Sequence, residues 1–242
     1  MIVIFASAYD ESSYSLAARW SAENAAVLTC NDLSLPGWQH HLPLRDDSTA
    51  VINGRLVPTR EIKGVLIRWP GVFVQELPHI VTEDRDYVAR EMMAFLVAWF
   101  TQLNCRVVNQ PTPVNLCGPA WRPEHWTFAA AQLGLNVRQT ERHVCLGIDS
   151  SDQTAIETTT HDVTVIGNRS FGNVDDNLRT QSLKLAQAAG TSMLRVSFSG
   201  DNSESQFISA DLLPQLSAEM ADALLEDFLS WEARSNWIEL TT

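Results

Sequence analysis

The residue types best suited to ligand binding are concentrated in one stretch, which runs from Asn109 to Trp126. It holds Trp121, Arg122 and His125 together with four prolines. Proline restricts the backbone, and tryptophan and arginine dominate binding hot spots because they offer a large contact area at low flexibility. These five residues are therefore our main candidates for a ligand-binding surface. Alternatively, the two tryptophans pack a domain interface.

Two further arginines are candidates for contact with a ligand. Arg68 ends an apolar, strand-like run. With Glu91 on the helix that follows, it forms in our interpretation either a ligand-facing pair or an ion pair that supports the sheet. Arg138 either reaches an anion or is solvated at a strand edge. Both remain candidates because a guanidinium is always charged and carries five N–H donors.

Metal binding and nucleophilic catalysis lack the residue spacings that they need. The four cysteines contain no C-x-x-C pair, and the six histidines contain no pair at helical i, i+4 spacing. Isolated cysteines of this kind are typical of buried free thiols. No Gly-x-Ser-x-Gly motif and no convincing Ser/His/Asp order is present, so a hydrolase or a nucleotide-independent transferase has no supporting motif. We predict no metal site and no catalytic residue.

Charge and composition narrow the class of partner. The 242 residues include 17 basic and 29 acidic side chains, which gives a net charge of −12. This balance disfavours nucleic acid and anionic membrane surfaces, whose phosphates need neutralisation. The N-terminus has no positive segment, and no apolar run approaches the roughly 18 residues of a membrane helix. We therefore expect a cytoplasmic protein. Among the basic residues, only Lys63 and Lys184 are lysines.

The apolar patterns predict an alternation of strands and helices up to residue 110, which favours an α/β domain with a mainly parallel sheet and helices on its faces. Predicted strands lie at 2–6, 26–29, 65–69 and 106–109, with a long helix at 82–103. The stretch 31–60 is predicted to form either a long connection or a small hairpin at 51–57. The segment 111–123 carries four prolines and is predicted to be a linker.

The remainder, 124–242, is predicted to form a second domain. We expect helices at 124–133, 178–189 and 217–231, and strands at 144–148, 163–166, 193–198 and 206–209. The terminal helix is amphipathic, with acidic residues opposite an apolar face that includes Leu224 and Phe228. We expect this face to pack on the second domain. A contact between copies of the chain is the alternative.

Four segments, in order along the chain, carry a resemblance to a known family: Val65–Pro70, Val107–Pro111, Ala130–Thr140 and Val163–Gly167. They resemble the ATP-grasp ligases, in particular the branch of ribosomal-protein glutamate ligases and graspetide synthetases. The resemblance implies a pre-ATP-grasp-like domain at 1–110 and, after the linker, a reduced ATP-grasp-like α+β domain at 124–242.

The chain departs from this family at the positions that bind nucleotide. One of the two phosphate-binding lysines of the family falls near Arg122 or Pro123, and no lysine occurs between Lys63 and Lys184. Arginine does not replace lysine conservatively, since its planar fork has a different reach. Only 22 residues separate Thr140 from Val163. A four-stranded lid needs roughly 30 at ~5 residues per strand, so we predict that the lid subdomain is absent.

The resemblance also implies that the magnesium site is degraded. The family's Asp-x-Arg pair, its next carboxylate and its terminal Glu-x-Asn fall here at Thr160, Asp162, Ser197, Ser209 and Asp211. Magnesium needs oxygen ligands in octahedral geometry, usually with one or two carboxylates. Asp211, with Asp201 close to it in sequence, is a poor remnant of that set.

We therefore interpret the chain as a degenerate ATP-grasp pseudoenzyme without a cofactor. In this interpretation it is a non-catalytic binding or accessory subunit for a peptide, a metabolite or a ligase partner. A homo-oligomer is a further expected assembly. The alternative is an ATP-dependent carboxylate–amine ligase that uses ATP and Mg with non-standard residues. The pathway, in biosynthesis or peptide modification, follows from the resemblance alone.

Overall fold

The structure is a computed structural model that describes residues 1–43, 45–138 and 160–239, with side chains up to Trp231. In chain order the elements are β1 (Ile2–Phe5), α1 (Glu11–Arg19), β2 (Ala26–Leu28), β3 (Thr49–Ile52), β4 (Arg55–Pro58), β5 (Gly64–Ile67), α2 (Arg85–Gln102), β6 (Arg106–Val108), α3 (Pro123–Gln132), β7 (Asn136–Val137), β8 (His161–Ile166), β9 (Arg169–Phe171), α4 (Asp176–Ala188), β10 (Met193–Phe198), β11 (Gln206–Asp211) and α5 (Ala218–Glu239).

The chain divides into two compact units. The first consists of Met1–Ala120 together with the C-terminal segment from Gln215, and the second is Trp121–Pro214. The predicted boundaries at 110 and 123, which rest on the proline-rich composition between them, stay a prediction. The C-terminal segment from Gln215 is part of the first compact unit, not of the second.

The first unit is built on a four-stranded parallel sheet in the order β2-β1-β5-β6. All residues of β1 and β5 are buried, as expected for inner strands of a parallel sheet covered on both faces. Phe100 of α2 packs edge-on against Phe5 of β1, with ring centroids 5.8 Å apart. The predicted parallel sheet is confirmed. Of the two alternatives for the stretch 31–60, the hairpin forms, as the separate two-stranded sheet of β3 and β4.

The terminal helix α5 covers the opposite face of this sheet. A Cβ atom at Gly64 would lie 2.5 Å from the Phe228 ring, and Trp20 meets the same ring edge-on at 6.2 Å. Side chains alternate along a strand, so Gly64 and Ile67 face opposite sides of the sheet. Ile67 is the register partner of Phe5 and shares with it the face that α2 covers. The expectation that α5 packs on the second domain is therefore wrong: its apolar face is complementary to the first sheet.

The second unit is a five-stranded mixed sheet in the order β7-β11-β10-β8-β9, in which only β7 and β11 pair in parallel. One face of the sheet packs with α3 and α4 around a core that includes Val165, Val196, Phe198 and Phe207. The predicted helices and later strands are confirmed. The short strand β9 was not predicted, because three residues carry too little periodicity. The predicted strand at 144–148 and most of the shortened lid interval lie outside the described residues.

Within the described residues, every helix is too short or too polar to span a bilayer.

Candidate ligand-binding site

The first candidate residues lie at the carboxyl edge of the parallel sheet. Arg68 follows β5 and Asn109 follows β6, and these strands are neighbours, with Leu66 opposite Val108. Asn109 is buried, and its Nδ2 donates to the carbonyl oxygen of Cys117 at 3.1 Å. Asn109 thus holds part of the proline-rich segment on the first unit. This is a structural bond, formed at the edge where ligands of open α/β sheets usually bind.

The proline-rich segment up to residue 120 is itself packed on the first unit. The backbone N–H of Leu116 donates to the carbonyl oxygen of Pro70 at 2.8 Å, and both Leu116 and Cys117 are buried. The prolines thus stiffen a packed segment. The adjacent apolar residues Leu116 and Cys117 provide this packing, whereas Val114 is exposed.

Arg68 lines a cavity of about 450 Å³ within the first unit. It is only 9% exposed, and its backbone N–H donates to the carbonyl oxygen of Phe5 at 2.8 Å. The cavity is lined by Ser12, Ser15, Leu16, Arg19, Arg68, Gln215, Leu216, Ser217, Ala218 and Ala221. A buried arginine at the wall of a cavity is a strong candidate for ligand contact, because its charge is only partly screened by water.

The charge of Arg68 also acts on Asp10, which caps α1. Burial alone would raise the pKa of Asp10, but hydrogen bonds from Ser12 and Ser13 and the nearby charge of Arg68 outweigh it and lower the pKa. The Asp10 carboxylate accepts bonds from both serine hydroxyls at 2.6 Å. Asp10 is therefore ionised and committed to the start of the helix.

The predicted pair of Arg68 with Glu91 does not form. Glu91 is exposed on α2, and no ion pair joins it to Arg68 among the described residues. The interpretation as a supporting ion pair is therefore wrong, because the two residues are carried by different elements whose spacing the sequence does not reveal, whereas contact of Arg68 with a ligand stays a prediction.

The other predicted contact residues belong to the second unit. Trp126 is buried in its core, and Trp121 packs against that core with ring centroids 4.7 Å from those of Trp126. Arg122 and His125 are exposed at the start of α3. Arg138, just after β7, is also exposed. The tryptophans thus form a packed pair within this unit, and the three polar residues lie at its surface.

The positions that the resemblance assigns to magnesium lie together on one face of the mixed sheet, opposite the core. Ser197 is directly across from Asp162 on β8 and from Ser209 on β11, and Asp211 is two residues further along β11. Arg195, two residues before Ser197 on β10, shares this face. Sequence reasoning missed Arg195, although strand alternation alone places it beside Ser197.

Arg195 neutralises both carboxylates on this face. Its Nη2 lies 2.8 Å from Oδ2 of Asp211, and its Nη1 lies 3.9 Å from Oδ2 of Asp162. The fold family implies magnesium here, but this donor set does not fit it. Mg²⁺ needs an octahedron of oxygen ligands, whereas here a guanidinium lies between the two carboxylates and the remaining positions are serine hydroxyls. Among the described residues, no cluster of His, Cys, Asp or Glu is able to hold a metal ion.

The described thiols are buried, as predicted. Cys30, Cys105 and Cys117 are free and buried, and Cys145 lies outside the described residues. Burial raises the pKa of Cys30 and of Cys105 to about 12. The reactive thiolate is therefore almost absent near neutral pH, which argues against a catalytic or redox function for these two residues.

We expect these three cysteines to resist an aromatic disulfide reagent at about pH 8 in the native protein. Reactivity of Cys30 and Cys105 should rise only as the pH approaches their raised pKa. Mass spectrometry of labelled peptides would separate them from Cys145, and labelling in denaturant, where all four should react, provides the control. Rapid native labelling of Cys30 or Cys105 would contradict their burial.

The sequence comparisons return nothing. No protein-family model matches the chain, and the comparison with curated proteins gives no match either.

Solved structures do resemble the chain. It is similar to the macrocyclase MdnC from Microcystis aeruginosa bound with precursor peptide MdnA, at 11% identity and a TM-score of 0.65, over 95% of this chain and 99% of that one. The ATP-grasp ligase PsnB, complexed with a minimal precursor variant, Mg and ADP, aligns at 12% identity and a TM-score of 0.61, over 93% and 97%. A RiPP-associated ATP-grasp ligase from Chryseobacterium gregarium, with ADP and a leader and core peptide, aligns at 10% and 0.62, over 93% and 96%.

These likenesses establish the fold. The chain has the α/β fold of ATP-grasp ligases, with a parallel sheet and a second, mixed sheet. The three structures described above are a macrocyclase and two ATP-grasp ligases, each solved with a precursor peptide or with a leader and core peptide. The fold predicted from the four sequence segments is therefore confirmed.

Proposed function

We propose that this chain is a truncated, degenerate ATP-grasp protein that acts as a non-catalytic binding or accessory subunit. Its ligand would be a peptide, a metabolite or a ligase partner in a biosynthetic or peptide-modification pathway. The peptide-pathway part is supported by the similar structures, since MdnC and the Chryseobacterium gregarium ligase were solved with precursor or leader peptides.

The observation that carries the non-catalytic part is the position of Arg195. Phosphoryl transfer depends on cations and metal ions arranged around the phosphates, and these are the groups that the chain has changed. A guanidinium pairs with Asp162 and Asp211 on the face where the resemblance places the metal. No lysine occurs between Lys63 and Lys184 to contact phosphate.

Exposed residues of the second unit supply the proposed ligand contacts there. Arg122, His125 and Arg138 are accessible, and the first two lie next in sequence to the packed tryptophans Trp121 and Trp126. A partner with acidic and apolar groups would suit this combination. Binding through these residues would need no nucleotide.

We expect calorimetric titration with ATP and Mg²⁺ to show no binding and no phosphate release. The physical reason is that the carboxylates are already neutralised, so a divalent cation has no site of sufficient negative charge. Micromolar binding of ATP together with phosphate release would overturn the proposal in favour of an ATP-dependent carboxylate–amine ligase.

Arg195→Ser is the matched variant for this test. It removes the guanidinium and leaves Asp162 and Asp211 facing the same region of the sheet. If the guanidinium excludes a divalent cation, the variant will bind Mn²⁺ more tightly than the native protein, as measured by electron paramagnetic resonance. Equal Mn²⁺ binding by both proteins would contradict the assigned function of Arg195.

A further inference from the structure

A groove between α2 and the segment 72–75 has no part in the degraded nucleotide site or in the proposed ligand contacts of the second unit. We propose that two copies of the chain associate at this groove, around a twofold axis and with their α2 helices antiparallel. The inference names a surface for the homo-oligomer expected from the sequence. It does not depend on the proposed binding function.

The groove lies within the first unit and has a volume of about 550 Å³. The segment 72–75 and Pro113 form one part of its lining. The other part is a stripe of α2 whose positions recur at three- and four-residue steps: Asp86, Ala89, Arg90, Met93 and Ala94. A stripe with this spacing is the kind of surface on which a second helix packs its side chains.

The groove is largely apolar, and apolar side chains at and beside it are exposed. Seven of its ten lining residues are apolar, among them Phe73, which is 44% exposed. Tyr87, next to Asp86 in sequence, is 66% exposed, and Val114, next to Pro113, is 75% exposed. Exposed apolar side chains grouped in this way are typical of surfaces that bind another protein, because their burial is favourable. We therefore expect a protein surface as the occupant of the groove.

Two opposite charges line the groove on α2. Asp86 and Arg90 are both exposed, and within the described part of the chain no hydrogen bond or ion pair engages either side chain. The two residues lie four positions apart on one side of the helix, which separates them by about 6 Å along its axis. The helix therefore presents one carboxylate and one guanidinium, in a fixed order, to whatever occupies the groove.

This order of charges is complementary to itself. If an identical helix runs antiparallel about a twofold axis at the level of Val88, Asp86 of each copy lies opposite Arg90 of the other. Two symmetric ion pairs then form, and closed twofold dimers are the commonest homo-oligomers. Exposed ion pairs contribute little affinity. We therefore assign the favourable free energy of association to the apolar groove, and to the charges the register of the two helices.

The test measures the mass of the full chain by analytical ultracentrifugation at concentrations up to about 100 μM. We expect the native protein to reach twice the chain mass of 27.0 kDa. Asp86→Arg and Arg90→Asp should each raise the dissociation constant of the dimer roughly tenfold or more. The reason is that each substitution places like charges opposite one another in both symmetric contacts. Both residues are exposed, so circular dichroism should show an unchanged fold.

A mixture of the two single variants tests the pairing directly. One variant carries arginine at both positions and the other carries aspartate at both, so opposite charges meet only between unlike copies. An equimolar mixture should therefore regain the dimer, and the double variant D86R/R90D should regain it alone. Arg55→Asp is the matched control, because it makes the same change at an exposed position of β4 outside the groove. It should change the dissociation constant by about twofold at most.

The proposal is overturned if the native chain is monomeric at about 100 μM, a result that would leave the groove to a partner of different sequence. It is also overturned if either single reversal associates as tightly as the native chain, or if the equimolar mixture stays monomeric. None of these outcomes changes the expected ATP titration. Failure of this interface and failure of the proposed function are therefore distinguishable.

Discussion

Phe228→Ala is expected to lower the free energy of unfolding by about 3–5 kcal/mol, the range for removal of a fully buried aromatic ring. The Phe228 side chain is 0% exposed and contacts Trp20 edge-on. Its ring also fills the space over Gly64, where a strand residue without a side chain lets the helix approach. Urea denaturation monitored by circular dichroism would measure the loss.

Phe128→Ala is the control for this variant. Phe128 is 65% exposed on α3, so its truncation should change stability by about 0.5 kcal/mol or less. If the two variants lost similar free energy, α5 would not be packed on the parallel sheet as described. A selective loss at Phe228 would support the assignment of α5 to the first unit.

Gly172→Ala is expected to cost about 3 kcal/mol or more, since it combines backbone strain with overpacking. Gly172 has φ +150°, and a Cβ there would lie 2.3 Å from the carbonyl oxygen of Asp162 and 3.2 Å from the Cα of Val163. Both contacts are with the backbone of β8, which cannot rotate away as a side chain would. Thermal and urea unfolding would give the change.

Gly190→Ala is the control that separates backbone strain from steric overlap with a neighbouring strand. Gly190 also has a positive φ, +64°, but a Cβ there meets nothing within 4 Å. Its substitution should cost only the left-handed conformation, about 1–2 kcal/mol. Equal losses at Gly172 and Gly190 would mean that the close approach to Asp162 contributes nothing.

The sequence predicts strands and helices correctly where the local pattern of apolar residues determines them. The apolar runs at 2–6 and 65–69 and the long helix expected at 82–103 predicted the parallel sheet and its helical cover. The partner of α5 could not be predicted in this way. An amphipathic pattern shows that Leu224 and Phe228 need burial, but it does not show which surface buries them.

The candidate site was predictable only in part, for a related reason. The resemblance selected Asp162, Ser197 and Asp211, and strand register then brings them to one face. The cavity around Arg68 joins Ser15 to Gln215, which lie near opposite ends of the sequence. No spacing rule relates such distant positions, so only the three-dimensional arrangement reveals that site.

The position of α5 has a consequence for biosynthesis of the chain. The ribosome completes the whole second unit before it makes the helix that covers one face of the first sheet. Until then a nascent chain lacks Leu224 and Phe228, and the ring of Trp20 and the surface over Gly64 have no cover from α5. Domains that are continuous in sequence fold during synthesis, N-terminal first. Here the first unit cannot complete its packing until the second has been synthesised.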